Sequence, residues 1–405
     1  MRRRSLLLAA AAAAAPVLAT RGRAAATPLK LGVLNDLSGI YADFQGPGSV
    51  IAAQLALEDF GPKIGERPIA VIAADHQNKP DVGLAIARQW LDTEAVDVIL
   101  DVPNSAIALG VANLVRERNR VFIGSGAGTA ELTGKSCSPN TVHWTYDTWE
   151  IGHSLGRAVV GQGGKSWFLL VADYQFGYDL EKSLTEAVTK AGGSVVGTAR
   201  HPLGTHDFSS FLLQAQASGA DVLGLANAGG DTDTALKQAA EFGLSPKMKT
   251  AGPTVTVNNV NAIGLPAAQG LLAVQPFYWN LNDGTRAFGR RFAERHPQHH
   301  FPNDMQAGVY SSALAYLRAV AALGGQSQDG AAVVAEMKAH PSTDPLFGTS
   351  PIRADGRALH PIYLLSAKSP ADSKGAWDFF TVAGTLPPDQ AFRPIEEGGC
   401  PLLKT

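Results

Sequence analysis

The amino-acid sequence predicts an α/β protein of two units, each a parallel sheet with helices on both faces. Strand-like and helix-like stretches alternate along residues 29–242, which is the pattern of repeated βα units. The alternation restarts after Cys137, so the chain holds two such units of similar size. A chain of 405 residues is also too long for one hydrophobic core and suits two domains.

The N-terminal residues predict an export signal that precedes both units. A basic start at residues 2–4 is followed by an apolar run over residues 6–18 and by small residues at 24–26. We therefore expect a signal peptide over 1–26, cleavage near Ala26 and a periplasmic location. The pair Arg3-Arg4 resembles a twin-arginine signal, and an ordinary Sec signal with a basic start fits the same residues.

Charge and hydropathy exclude two classes of function. The formal net charge is −2, and no cluster of Lys and Arg follows the export signal, so nucleic acid is not an expected partner. No apolar stretch of about 18 residues follows the signal either, so no membrane-spanning helix is expected.

The elements of the first unit follow from the spacing of apolar residues. Val82, Ile86 and Trp90 recur at helical spacing, whereas 29–34 and 121–124 are short apolar runs typical of buried strands. The predicted strands are 29–34, 68–74, 96–100 and 121–124, and the predicted helices are a long one that contains 52–60, followed by 79–94 and 105–119.

The second unit repeats this order, and the tail completes both units. Its predicted strands are 166–172, 194–199 and 221–226, and its predicted helices are 148–162, 180–191, 208–218 and 231–242. The tail supplies predicted strands at 271–274, 348–352 and 361–366 and predicted helices at 284–295 and 305–323. Since no linker separates these pieces, we expect them to return to the two existing units.

Two cysteines, Cys137 and Cys400, lie in proline-containing loops. An exported protein folds where disulfides form, so a bond between them would attach the C-terminal tail to the body of the protein. Two unrelated buried thiols are the alternative.

The strand-end loops hold the candidate binding residues. Ser105 opens the third predicted helix, where a hydroxyl and the positive end of the helix dipole favour an anion. The same serine could instead cap its helix. The glycine-rich loop 124–129 could hold an anion on its backbone N–H groups or be a tight turn. It lacks the spacing of a dinucleotide fingerprint and of a nucleophile elbow.

Aromatic residues also gather at the predicted strand ends, where open α/β sheets bind ligands. They are Tyr41, Phe44, Tyr146, Trp149, Tyr174 and Phe176, and packing alone could explain each of them. The histidines at 296–300 form one local cluster without a partner pair at ligand spacing, so neither a metal nor another cofactor is expected.

Several segments together resemble the leucine/isoleucine/valine-binding proteins, the type I periplasmic solute-binding components of ABC importers. The resemblance extends over essentially the whole mature chain, and the order of its motifs is more specific than any one of them. The matching segments are 34–39, 41–46, 52–56, 75–80, 130–133, 172–177, 206–209 and 270–272.

The resemblance implies two Rossmann-like lobes joined by three crossovers, with the ligand in the cleft between them and closure by hinge motion. Lobe one is then 27–145 plus 277–350, and lobe two is 146–275 plus 354–405. The crossovers are expected near 144–147, 274–277 and 349–355.

The resemblance also implies where the ligand lies. The family loops that match Asn104, Ser105 and Gly126 to Gly128 hold the ligand carboxylate, and aromatic residues cover it. The residues expected to line the cleft are Tyr41, Phe44, Asn104, Ser105, Ser125, Gly126, Gly128, Tyr146, Tyr174, Phe176, Asn227, Asp231 and Thr254.

One departure from the family pattern bears on the ligand. Amino-acid binders carry an acid after a Gly-Pro pair in lobe two, and here Thr254 follows Gly252-Pro253. Because a buried ammonium without a carboxylate is costly, we expect an aromatic or short organic acid without an ammonium group. An amino acid is the alternative, with Asp231 as the ammonium partner, although Asp231 also fits a helix N-cap.

The expected function is therefore solute binding for an ABC importer. The expected partners are a small-molecule solute and the permease subunits of the importer, and the protein is expected to be a monomer. A ligand-sensing module shares the fold and is the alternative of another class. A periplasmic enzyme is less favoured, because no catalytic combination of residues is visible.

Overall fold

The structure, a computed structural model, describes residues 27–244 and 247–403. The expected export signal, residues 1–26, lies outside the described residues. In chain order the strands are β1 Leu29–Asn35, β2 Lys63–Ile64, β3 Arg67–Asp75, β4 Val98–Asp101, β5 Val121–Gly124, β6 Thr141–His143, β7 Ser166–Ala172, β8 Ser194–His201, β9 Val222–Ala226, β10 Lys249–Ala251, β11 Leu272–Gln275, β12 Ser342–Asp344, β13 Gly348–Ser350, β14 Ile362–Ala367 and β15 Phe380–Leu386.

The helices lie between these strands. In chain order they are α1 Gly46–Phe60, α2 Pro80–Asp92, α3 Ser105–Glu117, α4 Thr148–Gly161, α5 Gln175–Lys190, α6 Ser209–Ala217, α7 Gly230–Glu241, α8 Val257–Ile263, α9 Leu265–Ala268, α10 Asp283–Arg295, α11 Asp304–Ala322, α12 Gly330–Ala339 and α13 Pro388–Ala391.

Two large sheets organise the chain into two lobes. The first has the strand order β2-β3-β1-β4-β5-β6 and is parallel except where β2 pairs with β3. The second has the order β15-β14-β11-β10-β9-β7-β8. Its strands β7 to β11 are parallel, and β14 and β15 are antiparallel additions at one edge. The predicted two-lobe α/β fold is confirmed, with these edge strands as a correction.

The tail belongs to both lobes. Helix α11 packs against α1 and is buried along most of its length, and α12 packs on α11, so these helices complete the core of the first lobe. Strands β14 and β15 then extend the second sheet. We retain the division into 27–145 plus 277–350 and 146–275 plus 354–405 as a proposal.

A buried ion pair ties two of the connections between the lobes together. Arg357 Nη1 lies 3.0 Å from Asp147 Oδ2, and both side chains are buried. Burial acts to raise the pKa of Asp147, but the Arg357 guanidinium and nearby cationic groups outweigh it and hold that pKa below its usual value. The pair is therefore a fixed charged contact in the region where the chain passes from one lobe to the other.

A disulfide fixes the end of the tail. Cys137 and Cys400 are bonded, with their Cα atoms 5.6 Å apart. The bond joins the loop before β6 to the residues that follow α13, so it holds the C-terminal segment against the first lobe.

Sequence reasoning placed one helix start too late. We expected a helix from Leu180, and α5 begins at Gln175. Gly177 makes this tight strand–helix junction possible, because a Cβ there would collide with the backbone of Ala172. Phe176 therefore lies in the first turn of α5 and not in a loop.

Several short elements were not predicted, namely β2, β6, β10, β12, β15, α8, α9, α12 and α13. Strands β6 and β10 have three residues each and are too short to show alternation. The sequence of α12, GAAVVAEMKA, is rich in small and apolar residues without a clear polar face, so periodicity does not reveal it.

Candidate functional site

The loops at the carboxyl ends of the parallel strands meet in a cleft between the lobes. The Tyr41 hydroxyl on the first lobe lies 2.6 Å from the Tyr174 hydroxyl on the second. Gly230 N donates to Ile40 O across the same cleft at 3.0 Å. Two further hydrogen bonds between the lobes are Thr129 Oγ1 to Asp179 Oδ2 at 2.7 Å and Asn303 Nδ2 to Asn258 Oδ1 at 3.0 Å.

Asn104, not Ser105, caps helix α3. The Asn104 Oδ1 atom accepts from Ala106 N at 3.0 Å and from Ile107 N at 3.1 Å. Ser105 is fully buried, and its hydroxyl has no hydrogen-bond partner among residues 27–244 and 247–403. The helix-cap alternative for Ser105 is therefore wrong, and its hydroxyl remains available at the start of a helix.

The loop after β5 contains glycines that let other side chains pack closely against it. A Cβ on Gly128 would lie 2.6 Å from the ring of Phe176, so the glycine allows an aromatic residue of the second lobe to touch this loop. The Gly126 carbonyl accepts from the Tyr146 hydroxyl at 3.1 Å. The Ser125 hydroxyl lies 3.3 Å from that of Ser312 on α11, inside the first lobe.

Five of the expected aromatic residues belong to one apolar cluster that crosses the cleft. Both lobes contribute to it, and Met305 of α11 packs in the same cluster. Tyr174 is partly buried, and the other four are at most 5 % exposed. The five are Tyr41, Phe44, Tyr146, Tyr174 and Phe176. The structure thus brings these residues together as the apolar part of the cleft.

The expected polar residues of the second lobe bond to one another. Asn227 Nδ2 lies 3.1 Å from His201 Nε2, and Asn227 Oδ1 accepts from the Thr232 hydroxyl at 2.8 Å. The Thr254 hydroxyl donates to Asn227 O at 2.7 Å. The hydroxyl hydrogens of Thr232 and Thr254 and one amide hydrogen of Asn227 are therefore already engaged within the lobe.

Asp231 does not cap a helix. Helix α7 begins at Gly230 with Gly229 as its N-cap, and Asp231 Oδ2 instead accepts from Gly204 N at 3.2 Å. Burial raises the pKa of Asp231 to about 6, although backbone hydrogen bonds partly oppose this. The N-cap interpretation was wrong because the turn into α7 uses a glycine in a left-handed conformation.

Sequence reasoning missed Asp304. This residue is 2 % exposed, its Oδ1 atom has no hydrogen-bond partner within the described part of the chain, and burial raises its pKa to about 7. It lines a cavity of about 10 Å³ between the lobes, with room for roughly one water molecule. Other residues lining this cavity are Tyr146, Thr254, Thr256, Gln275 and Met305.

No local signal distinguishes Asp304 from an ordinary helix start. Asn303 caps α11 by accepting from Met305 N and Gln306 N, and an acid next to such a cap normally lies in solvent. Its burial depends on the second lobe, which the local sequence does not describe.

Asp101 is a second buried acid that sequence reasoning did not assign. Its Oδ2 atom accepts from Asn35 Nδ2 at 2.9 Å, and its backbone has the left-handed φ of 79°. Its Oδ1 atom has no partner in the part of the chain that the structure describes, and burial raises its pKa to about 7. A Cβ on Gly126 would lie 2.5 Å from this oxygen, so Asp101 supports the loop after β5 from behind.

The part of the chain that the structure describes shows neither a metal site nor a membrane-spanning helix. Within the described ranges, no group of three or more His, Cys, Asp and Glu side chains could hold a metal ion. None of the helices described has the length and apolar character needed to cross a membrane.

The sequence matches the family model for periplasmic binding proteins over residues 28–376. Among curated proteins, Leu/Ile/Val-binding protein homolog 6 of Brucella abortus is 29 % identical over 198 residues, which are 49 % of this chain and 50 % of that protein. The match thus spans about half the length of the curated relatives.

Two solved structures match over nearly the whole chain. A periplasmic binding protein from Burkholderia mallei is 44 % identical, with a TM-score of 0.90, and the match covers 93 % of this chain and 99 % of that one. A branched chain amino acid ABC transporter periplasmic ligand-binding protein from Burkholderia xenovorans is 39 % identical. Its TM-score is 0.81, and the match covers 92 % of this chain and 99 % of that one.

Proposed function

Since the chain belongs to the periplasmic binding protein family, we propose that it binds a small carboxylate-bearing solute in its cleft and delivers the solute to an ABC importer. In this role it acts in the periplasm as a monomer, and its protein partners are the permease subunits of the importer. The name of the Burkholderia xenovorans relative supports the assignment to an ABC transporter.

The unpartnered hydroxyl of Ser105 carries the proposal. A buried hydroxyl without a partner costs free energy, and this one lies at the N-terminus of α3, where the helix dipole favours an anion. Together with the backbone N–H groups of Ala127 and Gly128, it can donate to a carboxylate, whereas Gly126 N already donates to Asp101 O at 3.4 Å. The positive end of the helix supplies the favourable potential without a charged side chain.

The aromatic cluster supports an apolar body on the solute. Tyr41 and Phe44 from the first lobe pack against Tyr174 and Phe176 from the second. In the structure these side chains touch one another, so a solute enters only when the lobes separate. Closing on an apolar body would bury its surface between the rings, at about 25 cal/mol per Å².

Two ligand classes fit this frame. An aromatic or short organic acid without an ammonium group fits the absence of an acid at Thr254. An α-amino acid is the second candidate, because Asp231 and Asp304 place buried carboxyl groups beside the cleft. The name of the Burkholderia xenovorans relative agrees with this second candidate.

A thermal-shift screen of the mature protein tests the proposal. The compounds are aromatic acids, short organic acids, keto acids and amino acids, with sugars and nucleosides as negative controls. A carboxylate that binds should stabilise the protein by a few kcal/mol at saturating excess. Stabilisation by sugars alone, with no response to any carboxylate, would contradict the proposal.

A further inference from the structure

We propose that Asp304 accepts a hydrogen bond from the solute and thereby selects carboxylates that also carry a donor group, either an ammonium or a hydroxyl. This inference rests on the proposed function and adds a second recognition point to the same cleft. The residue that selects the solute would then lie on the first lobe. Thr254, where the family pattern has an acid, lies on the second lobe.

Asp304 is buried by the meeting of the two lobes. It begins α11, and the cavity beside it is lined on the other side by Thr254, Thr256 and Gln275 of the second lobe. Its Oδ1 atom lacks a partner in the described ranges, although the side chain is 2 % exposed. A carboxyl oxygen in this position is costly unless a donor reaches it.

The polar side chains opposite Asp304 already donate hydrogen bonds to other groups. The Thr254 hydroxyl donates to Asn227 O at 2.7 Å, and Gln275 Nε2 donates to Val255 O at 2.6 Å. The Thr254 hydroxyl then has only oxygen lone pairs free, and Gln275 keeps its carbonyl oxygen and one amide hydrogen. Two hydroxyls bounding the same cavity are engaged likewise, Thr256 with Asn259 Oδ1 at 3.2 Å and Tyr146 with Gly126 O at 3.1 Å.

The cavity therefore presents mainly acceptors, and no Lys or Arg is among the residues that line it in the described chain. An ammonium offers three donors and a hydroxyl offers one, so either complements this lining. A second carboxylate would add a like charge beside Asp304 and is excluded by the same argument.

A second helix shows that capping does not explain the burial of Asp304. Helix α10 starts with Asn282 and Asp283, the same pair of residue types that starts α11, and in both helices the asparagine forms the capping box. Asp283 is fully exposed and pairs with Arg286 at 2.7 Å. The same local sequence thus gives a solvated acid in one helix and an unpaired buried acid in the other.

Asp231 is a weaker candidate for the same role. Its carboxylate already accepts from Gly204 N, and it is not among the residues that line the cavity. Asp304 lines the cavity and has a carboxyl oxygen without a partner in the described residues.

Matched solutes test the inference by calorimetric titration of the mature protein at about pH 8, above the pKa of about 7 that burial gives Asp304. One set is leucine, 2-hydroxy-4-methylpentanoate and 4-methyl-2-oxopentanoate, which share a skeleton and differ in the α-substituent. The other is 4-(aminomethyl)benzoate, 4-hydroxybenzoate and benzoate, which place the donor at the far end. Comparing ammonium with hydroxyl within a set identifies the donor.

In at least one set, a donor-bearing solute should bind at least about tenfold tighter than its donor-free parent. Asp304→Asn should reduce that ratio to about threefold or less and leave the parent's affinity nearly unchanged. Asp283→Asn is the matched control, which should keep the ratio. Circular dichroism of each variant checks that the fold is intact.

Two results would overturn the inference: equal or tighter binding of the donor-free parents in both sets, or an unchanged ratio in Asp304→Asn. Binding of the parents alone would leave the proposed carboxylate function standing. If no carboxylate binds the unmodified protein, the proposed function fails, and the role of Asp304 fails with it.

Discussion

The two walls of the cleft differ at the polar residues considered above as solute contacts. On the first lobe, the Ser105 hydroxyl and an Asp304 oxygen are buried without partners in the described residues. On the second lobe, Asn227 and Thr254 bond to groups of their own lobe. Because a buried unpaired polar group costs about 1–3 kcal/mol, we propose that the first wall receives its partner from the solute. In the same proposal the second wall covers the solute, through rings such as Phe176.

The largest effect is expected from removing the buried cation between the segment after β6 and the segment before β14. Arg357→Met leaves Asp147 buried without its partner, so the free energy of unfolding should fall by about 3–5 kcal/mol. Urea denaturation measures it. Arg118→Met, at a surface pair with Asp92, is the control and should cost less than about 1 kcal/mol. A similarly small loss in Arg357→Met would show that the pair does not stabilise the contact between these two segments.

The second prediction concerns how the stability of the protein depends on pH through Asp304. Burial raises the pKa of Asp304 from its usual 3.8 to about 7, so between these values the folded state binds more protons than the unfolded state. Stability from this group is therefore lost as pH rises through that window. Asp304→Asn should equal the unmodified protein near pH 4 and exceed it above about pH 7, by at most about 4 kcal/mol.

Thermal unfolding of the solute-free protein across this pH range measures the difference. Asp283→Asn is again the control, since Asp283 is exposed. A gain in Asp304→Asn that does not depend on pH would show that the carboxyl is not the titrating group.

The third prediction compares one hydroxyl from each wall. Ser105→Ala should weaken solute binding by about 0.5–2 kcal/mol, because its hydroxyl is free for the solute. Thr254→Val removes a hydroxyl that donates to Asn227 O, so it should lower stability by about 1 kcal/mol and change affinity less. Calorimetric titration and urea denaturation of both variants separate the two effects. A larger loss of affinity in Thr254→Val would reverse the comparison.

The smallest effect is expected at the contact between the walls. Tyr174→Phe removes the hydrogen bond with Tyr41 and keeps the ring, so closure should lose about 0.5–1.5 kcal/mol. The measurement is solute affinity together with the radius of gyration in solution. Tyr178→Phe, which alters an exposed hydroxyl bonded to Asp173, is the control. Equal affinities of both variants would show that the tyrosine pair does not contribute to closure.

The fold was predictable because its signals are local. Strand β7 was predicted with the bounds it has, and α4 within one residue, since apolar runs and helical spacing mark both. The antiparallel strand β15 was missed, because whether such a segment pairs at a sheet edge depends on residues far away in the chain.

The site was predictable only in part, for the same reason. The aromatic residues and Ser105 lie at strand ends, which the strand–helix rhythm locates. Asp304 and Asp283 each follow an asparagine that caps the helix, so the local sequence is the same for both. Only the packing of the second lobe makes Asp304 a buried acid and leaves Asp283 exposed. The pairing of Asn227 and Thr254 is likewise a tertiary contact that motif spacing does not show.

The central claim is that the first lobe binds the carboxylate of the solute. The most direct test compares acids with their carboxamides, benzoate with benzamide and leucine with leucinamide, by calorimetric titration of the unmodified protein and of Ser105→Ala. For the acid that binds, the carboxylate should bind at least about tenfold tighter than its amide, and Ser105→Ala should narrow that difference. An amide that binds as tightly as its acid would contradict the account.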